Sequence, residues 1–224
     1  MKETLSGKVE FRKENIQALS TAISGEKFDY IIAFGLIGYL ESDEQFFRII
    51  GGLSKANTIL FLSCRNELFN VTSISPNTVE EIKRENILNL IEEMDMYYSK
   101  DIPEEKSWKF LNELSNSIRS IHELEERNYR NLDIINDVKI DESKMISFAR
   151  QSTPEELKNT AKINNYNFCQ YWGVHPHLLL PKLNRKLPPK IFNLLSDSLC
   201  VFEEEEISLV WSSVFIGKFN YTGK

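Results

Sequence analysis

In "WGVHPH" two imidazoles, His175 and His177, stand two residues apart. Paired histidines suggest a metal site, but zinc wants three or four ligands and no carboxylate or cysteine cluster accompanies them. They are better suited to hydrogen-bonding. Arg65 and Asn66 follow the apolar run "TILFLSC" and could meet an anionic or sugar-like group; a solvated loop is the plainer reading. Phe34, Gly35 and Leu36 follow "DYIIA", at the carboxyl end of a strand, where open α/β sheets bind ligands. Tyr39, next along, could stack on a ligand or bond to it, or simply pack at the start of a helix. Asn15 is a turn former by type, and Asp29, ahead of its strand, reads first as an ordinary cap and only second as a cleft acid.

Composition narrows the chemistry. The chain has 224 residues, enough for a sizeable core, with 27% charged and 42% hydrophobic residues. A formal charge of -6 argues against a general nucleic-acid-binding surface, which would be basic, although Lys182, Arg185, Lys186 and Lys190 form a local basic patch. No stretch approaches the roughly 20 apolar residues of a membrane helix, and "MKETLSGKVEFRKEN" lacks a secretory pattern. Cys64, Cys169 and Cys200 are widely spaced and read as reduced, buried thiols of a cytoplasmic protein. The chain has no Ser-His-Asp set, P-loop or metal motif, so hydrolase and kinase readings lack a carrier residue.

These residues need elements to position them. "KVEF" reads as a short strand, "DYIIAF" as a buried strand, "DEQFFRIIGGLSK" as a helix ending near Gly51-Gly52, and "NTILFLSC" as a second buried strand. Strand, helix, strand is the βαβ unit of a parallel sheet. From Ser73 the chain turns helical and charged. Trp108, Leu111, Leu114, Ile118, Ile121 and Leu124 recur at spacings of three and four, predicting one amphipathic face, with His122 on or beside it. In "STPEELKNTAKINN", Ser152 or Thr153 caps a helix with Pro154 in its first turn. "YNFCQYWGV" and "ISLVWSSVFIGKF" read as strands, "HPHLLLPKLNRKLPPKIFNLLSDSL" as Pro-rich and then helical, and Glu203 to Glu206 as a solvated turn. The predicted division is a partial core over 1–72, a helical insert or lid over 73–146, and the remaining core over 147–224.

In this order the pieces resemble the class I S-adenosylmethionine-dependent methyltransferases. "KVEFRKENIQAL" is similar to the family's third strand and its loop, "FDYIIAFGLIGYLES" to the fourth, and "FFRIIGGLSKANTILFLSCRN" to the next helix and the fifth strand. "STPEELKNTAKINNYNFCQYWGVHP" resembles the helix leading into the sixth strand, and "LVWSSVFIGKF" the strand closing the last, antiparallel pair. The resemblance implies an α/β fold, an incomplete Rossmann-like sheet of strands three to seven with a helical insertion. The family's strand order is 3-2-1-4-5-7-6. S-adenosyl-L-methionine is the implied cofactor, contacted by Asn15, Ile16, Phe34, Gly35 and Leu36. His175 and Tyr39 are the implied catalytic side chains, and Arg65, Asn66 and His177 face the acceptor, a small molecule or glycan precursor.

The family's glycine-rich turn and the acid after its second strand have no counterpart here. The resemblance therefore implies a truncated or split product, or a partner chain supplying the first two strands; otherwise "KVEF" would pair directly with "DYIIAF". The rival reading is a non-catalytic methyltransferase-like subunit that docks through its exposed sheet edge.

Overall fold

The computed structural model describes residues 9, 11–18, 25–128, 149–184 and 187–223. Its sheet contains β1 (Phe28–Ala33), β2 (Ser54–Arg65), β3 (Tyr166–Pro176) and β4 (Ser212–Tyr221), in the order β1-β2-β4-β3. β1 and β2 are parallel, with Ile31 opposite Leu60 and Ala33 opposite Leu62. β4 runs antiparallel to both of its neighbours. This is the order the resemblance implies for strands four, five, seven and six, with the closing strand inserted between its two predecessors.

The helices are α1 (Asp43–Gly51), α2 (Phe69–Ser73), α3 (Pro76–Lys83), α4 (Ile87–Tyr98), α5 (Glu104–Asn128), α6 (Pro154–Ile163), α7 (Pro181–Asn184), α8 (Pro189–Ser198) and α9 (Ser208–Trp211). α1 starts where Ser42 accepts the Gln45 N–H, and Asp43 and Glu44 meet the positive end of the helix dipole. α6 shows which residue caps: the Thr153 side chain and Glu156 form a reciprocal capping box, with Pro154 in the first turn.

α1 and α6 cover one face of the sheet. There Leu60, Leu62 and Cys64 of β2 meet Phe215 and Phe219 of β4, all 3% exposed or less. Phe47 of α1 packs edge-on against Phe219 and tilts onto Tyr166, at 5.9 and 5.3 Å between ring centroids. Complete burial of a large apolar side chain contributes about 1.5–3 kcal/mol, so α1 is held by Phe46, Phe47 and Ile50 together. Cys64 lies in this layer, where burial pushes its thiol up to about 12.

The structure corrects several expectations. Val9 and Phe11 of "KVEF" lie in no strand and are exposed; Lys8 and Glu10 fall outside the described residues. "ISLVW" is not the start of β4 but a turn and α9, because the Ser208 hydroxyl accepts the Gly173 N–H from β3. The apolar face of α5 divides. Phe110 packs on Phe202, and Ser117 donates to the Leu194 carbonyl, while Trp108, Leu111 and Ile118 are exposed, as is His122. Leu124 lies where side chains are outside the description, as do residues 129–146 of the expected insert. Cys169 and Cys200 are exposed rather than buried. The acidic turn is only half solvated, since Glu205 pairs with Lys106 and Glu206 with Lys100. Finally, β1, which lies at the edge of the sheet among the described residues, is not the buried strand expected: Tyr30 is 70% and Ile32 67% exposed.

Candidate functional site

The carboxyl ends of β1, β2 and β3 and the amino end of β4 share one edge of the sheet. It collects the 34–40 loop, Arg65, Asn66, His175, His177 and Ser213. Arg65 and Val174 both sit opposite Val214, so strand spacing puts them about 10 Å apart. Phe34 is one strand further out, beyond β2.

The loop after β1 is built to hold its shape. Gly35 takes φ +65, the left-handed region that favours glycine, and its N–H donates to Ser63 Oγ of β2 at 2.8 Å. Leu36 is half-buried against the core, and its carbonyl accepts the Tyr39 N–H at 3.0 Å, closing a 3-10 turn over Ile37–Tyr39. Ile37 is buried beneath it, leaving Phe34 and Tyr39 projecting, 56% and 74% exposed.

The chain just before α6 clamps this loop from the other side. Gly38 accepts the Arg150 N–H at 2.8 Å, and a Cβ on Gly38 would meet the Arg150 carbonyl at 2.7 Å. Only glycine allows so close an approach. The Arg150 guanidinium donates to the Leu40 and Ile37 carbonyls and pairs with Asp43 at 2.7 Å. Ser152 Oγ donates to the other Asp43 oxygen, also at 2.7 Å. Asp43 is 9% exposed, so both of its oxygens find partners where water scarcely reaches. Sequence reasoning missed Arg150 and Asp43, because the contact spans 107 residues and neither residue lies in a motif.

Asn66, expected to face the acceptor, is buried instead. Its amide donates to the Leu209 and Ser212 carbonyls at 2.5 and 2.8 Å, and its Oδ1 accepts the Leu68 N–H at 3.1 Å. It stitches β2 to the start of β4 with its amide protons fully committed, a structural role. Arg65 is exposed at the open edge, and its carbonyl accepts the Ser152 N–H at 3.2 Å.

His175 is exposed and takes φ +54, a left-handed backbone that histidine adopts more readily than most non-glycine residues. It lines a pocket of about 190 Å³ with Gly173, Pro176, Cys200, Ser208 and Ser212. His177 turns inward. Its ring stacks on Phe69 at 4.6 Å and faces Phe192 at 5.7 Å, with Nε2 at 3.4 Å from Ser213 Oγ. Burial, then the charge of His175, lowers its pKa, so neutral imidazole is favoured. Asn15 spends its side chain locally, accepting the Gln17 N–H at 3.0 Å, and Ile16 packs partly onto the core. Asp29 is exposed and paired with Lys55 at 2.7 Å. Among the described residues no group of three or more His, Cys, Asp or Glu could hold a metal ion, and no helix is long and apolar enough to cross a membrane.

No family model matches the chain, and neither does any curated protein. Among solved structures it is similar to PKMT2 from Rickettsia typhi, at 14% identity and a TM-score of 0.33, covering 88% of this chain and 36% of that one. The same protein in complex with AdoHcy matches at 13% identity and a TM-score of 0.32, covering 90% of this chain and 37% of that one. The chain spans little more than a third of the length of these structures.

Behind Asn66 lies a carboxyl cluster that the sequence did not reveal. The Asn86 amide bridges Glu67 and Glu81 at 3.4 and 3.1 Å, and the Asn70 amide joins Glu81 to Gln151, both at 2.9 Å. Burial, then the charges of Glu81 and Glu156, pushes Glu67 up to about 8 from an ordinary 4.5; Arg84 opposes them. Between those values the native state holds a proton that the unfolded chain has released. Stability from this group is therefore full below about 4.5 and lost as pH rises to about 8. Glu67→Gln is expected to flatten that decline, with the variant more stable than the parent at pH 8. Urea unfolding from pH 5.5 to 8.5 measures it, and parallel slopes for the two proteins would contradict the assignment.

Proposed function

We propose that the chain supplies the cofactor-cleft floor and acceptor wall of an S-adenosyl-L-methionine-dependent methyltransferase acting on a small-molecule or glycan-precursor acceptor. One observation carries the reading: an antiparallel last strand lies between β2 and β3, with the strand-end loops gathered at one edge. The Phe34-Gly35-Leu36 loop would meet the cofactor, its backbone fixed by Ser63 and the Arg150 clamp. Tyr39 projects to stack on or bond a bound group, and Arg65 is placed to meet an anionic or sugar-like acceptor. His175, exposed on the other side of β4, would serve as the hydrogen-bonding group or base.

When bound, the cofactor supplies an electrophilic methyl group, and the protein's contribution is alignment, which can supply ~7–11 kcal/mol. The floor alone encloses nothing: Phe34 and Tyr39 stand in solvent and β1 is an open edge. Calorimetry with S-adenosylmethionine is therefore expected to show binding weaker than the micromolar range. Micromolar affinity for this chain by itself would show that the open edge needs no second wall.

A second reading is favoured by β1 itself. A non-catalytic subunit would use that edge, with Tyr30 and Ile32 exposed beside it, to extend the sheet of a complete enzyme. Light scattering separates the two: a monodisperse monomer with no co-purifying partner counts against the subunit.

A further inference from the structure

The two faces of the sheet differ in kind. On the covered face the side chains of β2 and β4 are almost inaccessible. By strand alternation and register, the opposite face presents Tyr30 and Ile32 of β1, Ile59, Phe61, Ser63 and Arg65 of β2, Val214, Ile216 and Lys218 of β4, and Trp172 of β3. None of these is buried. Phe61 and Trp172 lie tilted together at 6.5 Å, and Lys218 Nζ sits 6.0 Å from the centre of the Phe61 ring. A parallel pair with one face bare is unusual, because such strands are normally covered on both sides.

The charge on this face says what would cover it. Its charged side chains are Arg65 and Lys218, both cationic in a chain of net charge -6, and neither makes an ion pair among the described residues. A second copy would set cation against cation. We propose that the bare face docks an amphipathic helix from a partner polypeptide, with its apolar stripe on Ile32, Phe61, Ile216 and Trp172 and acidic residues along its flanks toward Arg65 and Lys218. The stretch of β2 from 59 to 65, whose alternate side chains form this face, rises about 20 Å, the length of roughly 13 helical residues. The inference rests on the proposed methyltransferase reading only for why the neighbouring edge stands open; the face itself is a property of the sheet.

The test uses the full chain and synthetic 18-residue helical peptides sharing one Leu/Ile face, with either glutamate or lysine flanks, followed by fluorescence anisotropy. The glutamate peptide is expected to bind at least tenfold more tightly than the lysine peptide. Lys218→Glu should erase that preference, and Ile32→Ser, a change at an exposed position, should weaken binding of both while circular dichroism stays unchanged. Equal binding of the two peptides, no binding of either, or indifference to both substitutions would overturn the proposal. So would a concentration-dependent dimer abolished by Ile32→Ser, since a second copy would then occupy the face. S-adenosylmethionine calorimetry is read separately, so failure of peptide docking and failure of the cofactor reading are distinguishable.

Discussion

Replacing Asn66 by leucine is expected to destabilise the protein by roughly 3–5 kcal/mol, the upper range for a single substitution. The side chain is wholly buried and makes three hydrogen bonds, to the Leu209 carbonyl of α9, to the Ser212 carbonyl that opens β4, and to the N–H of Leu68, the residue that caps α2. Leucine fills much of the same volume and leaves the Leu209 and Ser212 carbonyls and the Leu68 N–H without those partners. Each stranded buried group costs about 1–3 kcal/mol. Asn66→Asp should be nearly as damaging, because a carboxylate can accept from Leu68 but can only repel two carbonyl oxygens. Urea unfolding followed by tryptophan fluorescence measures both. A loss below about 1 kcal/mol would mean that water replaces the amide, and the stitch would then be incidental.

Arg150→Ala is expected to cost about 2–3 kcal/mol, less than the 3–5 typical of breaking a fully buried pair, because the guanidinium is 34% exposed. Its signature should be local. The 37–43 backbone loses two of its donors and Asp43 loses its counter-ion, so amide exchange should rise at Leu40 to Asp43 while the β2–β4 ladder stays protected. Arg150→Lys should recover the ion pair but not the fork that serves Ile37, Leu40 and Asp43 together. Equal protection of the loop in all three proteins would rule out the clamp.

What the sequence revealed depended on how local each determinant is. β2, α1 and α6 were legible because an apolar run, a helical pattern ending near Gly51-Gly52 and a Thr-Pro-Glu-Glu start each act within a few residues. The insertion of β4 between its predecessors followed from the family resemblance, and no single segment encodes it. Asn66 was misplaced because an asparagine after a strand looks like a loop residue; the two carbonyls its amide serves lie more than 140 positions away. "ISLVW" reads as strand until Ser208 is seen to serve Gly173. β1 was expected to be enclosed because apolar residues occupy both its faces, and composition cannot say whether a second layer is present. The loop residues Phe34 to Tyr39 were found through their strand, whereas the Arg150 clamp that fixes them has no local signal.

The position of β4 also dictates an order of assembly. Among the described residues β3 pairs only with β4, and β2 meets that side of the sheet only through β4, yet β4 follows the other three strands in sequence. During synthesis β2 waits with one long edge unpaired, and β3 with both, for the strand that joins them. Partners separated by up to about 160 residues, such as Ile59 and Asn220, make loop closure costly and folding slow. In that interval these apolar edges are open to the wrong neighbour, so the protein's yield in a cell depends on how quickly the segment Ser212–Tyr221 finds the gap.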